Sequence, residues 1–514
     1  MRGAHLPLFD LAEGFLEPMI KPQLATCPTE PPQSVFNTPE KNLQSVDYPA
    51  IERWLQAQNL YPASEASPLP WQLAAEPFQL TEELTQKIEA LGPVLHRFVK
   101  AQWQIYRESV NDQAPGWIAN LLDQGKPDAL IQLSRMNRFK QAIPLVLRPD
   151  LLIGEDGQLT LCELDSIPGG IGLTAALTVA YQHLGFQVLD GNHGTSMVAS
   201  FSDLLASQAP VNHQGVFHVA IVVSDEANDY RPEMHWLSAQ INTLRPEKLR
   251  THVIHPKQLL LMGNRLMATL SDGSHWPIDG IYRFFELFDL PNIANNELIQ
   301  FALKKGWIVL TPPFKPQLEE KLWLALLHHP ALSSLWVKHL GQRDFETLLA
   351  MTPQGWVVDP TPLPPQGVIA GLRQSNGDAL QDFRQLAAFT QKQRELVLKP
   401  SGFSPLAWGS RGVTIGHDVS QSDWQAAIET ALQMFSTTPY ILQKFRPAVP
   451  VALAHVDTNG TIQTTPRRVR LCPYYFVIES RVAWVGALAT GCPIDKKRIH
   501  GMSTAMLAPT AARF

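Results

Sequence analysis

From Thr81 the run TEELTQKIEALGPVLHRFVKAQWQIYRES places apolar residues at helical spacing behind a Thr-x-x-Leu start, which predicts one or two amphipathic helices. A second helical stretch leads to two short segments with a different rhythm. Arg148 and Asp150 alternate on the first, and Glu163 and Asp165 alternate on the second. Side chains two apart share a face of a strand. A hairpin turned at Gly154-Glu155-Asp156-Gly157 would therefore gather Arg148, Asp150, Glu163 and Asp165 on one surface. Beyond it LTAALTVAYQHLG reads as a helix, FQVLD as a strand and HVAIVVSDE as another strand, an alternation that implies a parallel α/β sheet.

After IDGIYRFFELFDLP come helix NELIQFALKKG, strand WIVLTPP and helix EEKLWLALLHHPAL, and then a Pro/Gly-rich surface connection around residues 352 to 368. The last third changes character. ELVLKP, VTIG, YILQKF, VALAHV, VRLCPYYFV and RVAWVGAL read as strands and SDWQAAIETALQMF as a helix, an α+β lobe with largely antiparallel strands. Residues 1 to about 75, rich in Pro, Gln and Ser, read as a loosely packed arm. There is no internal repeat and no long low-complexity tract.

A chain of 514 residues is too long for one ordinary core, so two to four lobes are expected. With 45% hydrophobic and 17% charged residues, disorder is not the main theme. A net charge of −5 and a pI near 6.4 argue against a general nucleic-acid or membrane-surface binder and favour small-molecule chemistry. Cys27, Cys162, Cys472 and Cys492 lie far apart with no Cys-x-x-Cys pair, as expected of reduced thiols in a cytoplasmic protein. The segment MRGAHLPLFDLAEGF has no long apolar core of the signal-peptide kind, and no stretch reaches about 18 apolar residues.

The charged hairpin is the first candidate site. Three carboxylates that close repel one another unless a cation sits among them, and Mg²⁺, which takes carboxylate and phosphate oxygens, is the natural occupant. The plain alternative is ion pairing with Arg148, Arg135 or Arg138. In VLKPSGFSPLAWGSRGVTIG, Lys399 ends an apolar strand, and Gly402, Gly409 and Gly412 punctuate a loop carrying Arg411. Such a loop can hold a triphosphate through backbone N–H groups and an ammonium, or it can be a surface hairpin with a capping lysine. Gln443 and Lys444 end YILQKF, which could present an adenine edge or be a core strand; Lys321 is a lysine among leucines, a type most often merely solvated. Gly170, Gly172 and Ala175 fit G-x-G-x-x-A, with Asp190 ending the next expected strand. On that segment alone an NAD-dependent oxidoreductase is as good a reading. Against it, Glu163 and Asp165 just before the turn would repel a pyrophosphate that carried no metal.

The order of these parts resembles the ATP-grasp ligases, in particular the circularly permuted branch of eukaryotic-type glutathione synthetase and glutathionylspermidine synthetase. Arg148-Pro-Asp150 and Glu163-Leu-Asp165 stand where those enzymes carry Arg-x-Asp and Glu-x-Asn, and the likeness spans roughly residues 130 to 514. It implies an ATP-grasp fold, α/β and α+β, preceded by a Rossmann-like parallel-sheet domain. The implied division is an arm (1–75), a helical and substrate domain (76–310), an N-terminal ATP-grasp lobe (311–395) and a C-terminal lobe (396–514).

The resemblance further implies that Glu163 and Asp165, with Asp150 as a further ligand, hold Mg²⁺ on the ATP phosphates. Arg148 would meet the transferred phosphoryl group. Lys321, Lys399, Gly409, Gly412, Gln443, Lys444 and Lys496 would hold the nucleotide, and Arg411, Lys497 and Arg498 would act from the glycine loop and a mobile basic loop. Arg283 would grip a substrate carboxylate, with Ser166 and the segment from Asn228 to Glu233 lining the same pocket. The implied activity is an ATP- and Mg²⁺-dependent carboxylate–amine or carboxylate–thiol ligase working through an acyl phosphate, with small-molecule acid and amine partners, no nucleic acid and no membrane. A homodimer is entertained as the assembly, and a catalytically silent ATP-grasp protein is the further alternative. Two departures stand out: Asp165 replaces the family asparagine, and SGFSPLAWGSRG lacks the acid that glutathione synthetases carry in this loop.

Overall fold

The computed structural model describes residues 47–60, 71–155, 157–191, 196–374, 376–457, 460–499 and 504–512. The Arg148 segment forms the strand Val146–Ile153 and the acidic segment the strand Leu159–Asp165. They pair antiparallel with Arg148 opposite Asp165 and Asp150 opposite Glu163; a bulge between Asp150 and Leu151 shifts the register by one residue and so brings the charged residues of both strands to one face. Gly157 donates to the Gly154 carbonyl at 3.0 Å to close the turn, and Asp156 of the expected turn lies outside the described residues.

This hairpin belongs to an eight-stranded sheet that draws on distant parts of the chain. Val146–Ile153 pairs antiparallel with Ile462–Ile478, which pairs with Arg481–Pro493, and that strand with Met506–Ala511. The short strands Gln72–Leu73 and Phe78–Gln79 add in parallel to Met506–Ala511. Helices cover both faces. Tyr475 points to the face under the helix Glu82–Val110, whereas its neighbours Tyr474 and Phe476 point to the face under Ile171–His183 and Met197–Ala206. Glu82–Val110 is one continuous helix of 29 residues and runs through Gly92-Pro93 without a break. Glycine is needed there because a Cβ at Gly92 would lie 2.5 Å from the Tyr475 ring.

A second sheet is fully parallel, in the order Val309–Thr311, Gly280–Phe284, Phe217–Val223, Leu249–Ile254. Its fourth strand, LRTHVI, was not anticipated, and the expected strand FQVLD is not one. Leu189 donates to the Thr510 carbonyl at 2.8 Å, but residues 186–190 run as irregular chain and the place beside Phe217–Val223 goes to Leu249–Ile254. EEKLWLALLHHPAL is likewise not one helix: only Leu322–Leu326 is α-helical before Pro330 opens a separate turn. The third sheet is antiparallel, in the order Gly355–Val357, Tyr440–Lys444, Leu396–Pro400, Thr414–Ile415.

Within the stretch expected to be irregular, Tyr48–Ala57 is a helix capped by Asp47, whose carboxylate accepts from Ala50 N at 3.2 Å. Residues 1–46 and 61–70 of that stretch, Cys27 included, lie outside the described residues. Among the described residues no helix is long and apolar enough to cross a membrane.

Gly92→Leu drives a side chain into Tyr475 and should cost about 1–3 kcal/mol, the usual range for overpacking. A urea midpoint lower than that of the parent protein is the expected result, and an unchanged midpoint would show that the helix is not seated on the sheet at this point.

Candidate functional site

Each of the three acids on the two strands has a cationic partner. The Asp150 carboxylate accepts from Arg470 Nη1 at 2.8 Å and lies 3.4 Å from Arg148 Nε, and the Cys472 thiol donates to it at 3.4 Å. Asp165 takes Arg148 Nη2 at 3.0 Å on one oxygen and the Ile167 N–H at 2.8 Å on the other. Glu163 pairs with Lys321 Nζ at 2.8 Å. Burial alone would raise the Asp150 carboxyl, but Arg470 and Arg148 hold it below the usual carboxylate range. Asp165 goes the other way: burial raises it, the nearby Glu163 adds to the rise, and Arg148 offsets only part.

Two cavities flank this network and share Asp150, Glu163, Arg470 and Ala407 as a common wall. The smaller, about 130 Å³, brings Asp150 and Glu163 together with Lys321, Lys399, Gln443, Lys444, Lys497 and Arg498. Lys399 reaches across from the third sheet and donates to the Cys162 carbonyl at 3.0 Å. Gln443 keeps a buried amide nitrogen with no hydrogen-bond partner among the described residues, a donor waiting for an acceptor. The larger cavity, about 250 Å³, is lined by Arg148, Asp150, Glu163, Asp165 and Gly409 and by side chains from the carboxyl ends of the parallel strands. Arg411 pairs with Glu226 of that cavity at 3.2 Å.

Other candidates are placed elsewhere. Arg283 is fully buried; it pairs with Glu319 and donates to the Pro312 carbonyl at 3.3 Å, so its guanidinium is occupied by its own fold. Glu233 turns inward and accepts from Gly170 N at 2.7 Å and Leu173 N at 2.9 Å. Asn228 accepts from Arg231 Nε at 3.0 Å, while Tyr230 of the same segment lines the larger cavity. Ser166 is buried and lines neither cavity. Lys496 pairs with its neighbour Asp495 at 3.3 Å. Gly412 packs against Pro400 and Leu406, and Lys497, which does line the smaller cavity, also pairs with Asp418. Residues 500–503 of the basic loop lie outside the described residues.

The dinucleotide alternative is answered by the same inward turn of Glu233. The Ile171–His183 helix begins behind Gly170, whose φ of 86° suits glycine, and a carboxylate already occupies the N–H groups that a pyrophosphate would need. Asp190 accepts from Met197 N at 3.1 Å at the start of the next helix rather than ending a strand.

Arg470, Glu226, Glu286 and Glu320 were missed from the sequence. For Arg470 a signal existed: RRVRLC alternates arginine with apolar residues, the rhythm that marked the hairpin. Glu320 had none. It is buried, pairs with Lys126, accepts from Ser401 Oγ at 2.7 Å and from Gly402 N at 3.1 Å, and so sets an acid from another element against the base of the acid-free glycine loop.

Among the described residues no three His, Cys, Asp or Glu side chains are grouped to hold a metal. The Asp150, Glu163, Asp165 triad expected from the sequence is not such a set, because Asp150 is buried between two arginines with a side chain only 9% exposed. Glu163 and Asp165 are more open, at 36% and 26%.

No family model matches the chain, and no curated protein matches it in sequence. Among solved structures, a glutathione synthetase-like effector from Globodera pallida, in its apo form, is similar over 90% of this chain and 94% of its own, at 12% identity and a TM-score of 0.49. A protein described provisionally as a gamma-glutamylcysteine synthetase from Methylobacillus flagellatus KT is similar over 77% of this chain and 82% of its own, at 10% identity and a TM-score of 0.35. At these scores neither structure lends weight to a particular chemistry.

Burial pushes the Glu233 carboxyl from its ordinary value of 4.5 up to about 7, against the two N–H groups and Arg148, which lower it. Between those values the folded protein holds more protons than the unfolded chain, so this group's contribution to stability falls as pH rises through the window. Glu233→Gln removes the titration. Its urea midpoint should therefore gain on that of the parent protein from pH 4.5 to pH 7, and a difference that does not change with pH would refute the assignment.

Proposed function

We propose that this chain is an ATP- and Mg²⁺-dependent ligase that joins a carboxylate to an amine or thiol through an acyl phosphate, on an ATP-grasp fold. The observation that carries the reading is the pair of cavities on either side of one acidic wall. The lining of the smaller cavity carries the groups that a nucleotide's phosphates and base require. Lys321 and Lys399 supply charge for phosphates, and the orphan amide of Gln443 supplies a donor for a purine edge. Glu163 and Asp165, the more open acids, fit a hard cation that takes one or two carboxylates and completes its shell with phosphate oxygens and water. When bound, Mg²⁺ would neutralise charge on the transferred phosphoryl group. Asp150 is assigned instead to orienting Arg148 and Arg470.

In this reading the acid substrate lies in the larger cavity, with its carboxylate toward Arg148 and Arg470. That carboxylate attacks the terminal phosphorus and ADP leaves; the amine or thiol then attacks the acyl carbon and phosphate leaves. Arg148 and Arg470 contribute fixed positive charge where negative charge builds, already oriented by Asp150 and Asp165. No side-chain nucleophile is required.

Thermal stabilisation by ATP with Mg²⁺ is the expected result for the parent protein, with loss of that stabilisation in Glu163→Ala. Lys399→Met should weaken ATP binding about tenfold, since a hydrogen bond to a charged group is worth roughly 1.5–3 kcal/mol. A screen of ADP release across amino acids, peptides and amines then identifies the acid and the acceptor. Neither ATP-dependent stabilisation nor ADP release in that screen would sink the proposal.

A further inference from the structure

One acidic side chain on the larger cavity has no role so far. Glu286 stands just past the Gly280–Phe284 strand, at the carboxyl end of the parallel sheet, and Glu226 stands just past the neighbouring Phe217–Val223 strand. The crevice beyond the carboxyl ends of parallel strands is where open α/β sheets receive ligands. Among the described residues no cation or hydrogen-bond donor contacts the Glu286 carboxyl. Arg283 and Lys321 are close enough to be felt, but each is paired with another acid, Arg283 with Glu319 and Lys321 with Glu163. Burial, Glu319 and Asp165 together push the Glu286 carboxyl well above the usual range, the mark of an acid that lacks its counter-charge. The cavity is thus polarised: Arg148 and Arg470 face it from the hairpin side, and Glu286 from the parallel sheet, beside a Glu226 already paired with Arg411.

We propose that the acidic wall receives an ammonium group of the amine substrate, with Glu286 as its counter-ion, an assignment that rests on the ligase reading for the identity of that substrate. A primary ammonium carries three donors; the wall offers it the Glu286 carboxylate, the Glu226 carboxylate it would share with Arg411, and the Ser224 hydroxyl, which keeps its bond from Ala227 N at 3.3 Å. The rings of Tyr230 and Phe284, 5.6 Å apart and edge to face, flank the position and suit a cation on an apolar stem. With its basic wall opposite, the cavity holds a carboxylate and an ammonium at once; when the ammonium passes a proton to the Glu286 carboxylate, the free amine is left to attack the acyl carbon as phosphate departs.

The test uses the full chain without nucleotide, n-butylammonium as probe and n-butanol as its neutral counterpart, read by saturation-transfer NMR. The parent protein should bind butylammonium and not butanol. Glu286→Gln should weaken that binding about tenfold or more, the loss expected for one charge-assisted hydrogen bond, and Glu286→Asp should retain part of it. Equal binding of butanol, or unchanged affinity in a folded Glu286→Gln, overturns the proposal. Should Glu286→Gln not fold, the parent protein's preference for butylammonium over butanol and the retention in Glu286→Asp decide. ATP-induced stabilisation of the parent protein is measured in parallel: its absence beside a clear butylammonium preference removes the ligase reading and leaves the cation site standing.

Discussion

Asp150 ties the two halves of the site together. Its carboxylate lies between Arg148 on its own strand and Arg470 on the neighbouring one, with the Cys472 thiol as a third contact; the carboxylate and the thiol are buried, and the two arginines reach the larger cavity. Buried charges are costly unless fully paired, and removing one member of such a set costs about 3–5 kcal/mol because the remainder is left uncompensated. The pairing propagates outward. Arg148, held by Asp150, turns its other nitrogens to Asp165 and the Gly169 carbonyl, while Glu163 is left to Lys321. Charges thus alternate across the wall between the cavities, and each cavity receives side chains whose direction is already set.

Much of this was legible in the chain because it rests on local rules. The two-residue alternation of Arg148 with Asp150 and of Glu163 with Asp165 marked two strands and the residues that share a face within each, whereas the bulge beside Asp150 that turns both pairs to the same face left no sign in the chain. The strand ends at Lys399 and Gln443 lay where apolar runs stopped, and both now line one cavity. What was not legible depends on neighbours far away in sequence. That Arg283 is occupied by Glu319, or Glu233 by the N–H groups of Gly170 and Leu173, follows from packing rather than from either residue's surroundings in the chain. FQVLD carries a strand-like composition, yet it forms no ladder: Leu189 donates to the Thr510 carbonyl and the rest of residues 186–190 is irregular, so composition alone did not make a strand.

The glycine turn at Gly170 shows how one motif can be read two ways until its ligand is known. Spacing alone fits a dinucleotide site, and the physical difference lies in what answers the exposed N–H groups at the head of the Ile171–His183 helix. Here it is a carboxylate of the same chain, whose segment also carries Tyr230 to the larger cavity. The helix dipole therefore serves to fix one wall of that cavity, and in the proposed ligase the lysines of the smaller one would meet the phosphates.

The pairing of Asp150 with Arg470 joins residues 320 positions apart, and the strand that bears the hairpin is covered by Ile462–Ile478. On a ribosome the acids and Arg148 emerge long before their sheet partners. During that interval Val146–Ile153 exposes an unpaired edge, the kind of surface that recruits stray strands, and its charges lack the arginine that balances them. Alternating charge then has a second use, because an edge strand bearing Arg148 and Asp150 is a poor template for a neighbouring chain. The side chains that shape the finished cavities would also guard the nascent sheet until its last strands arrive.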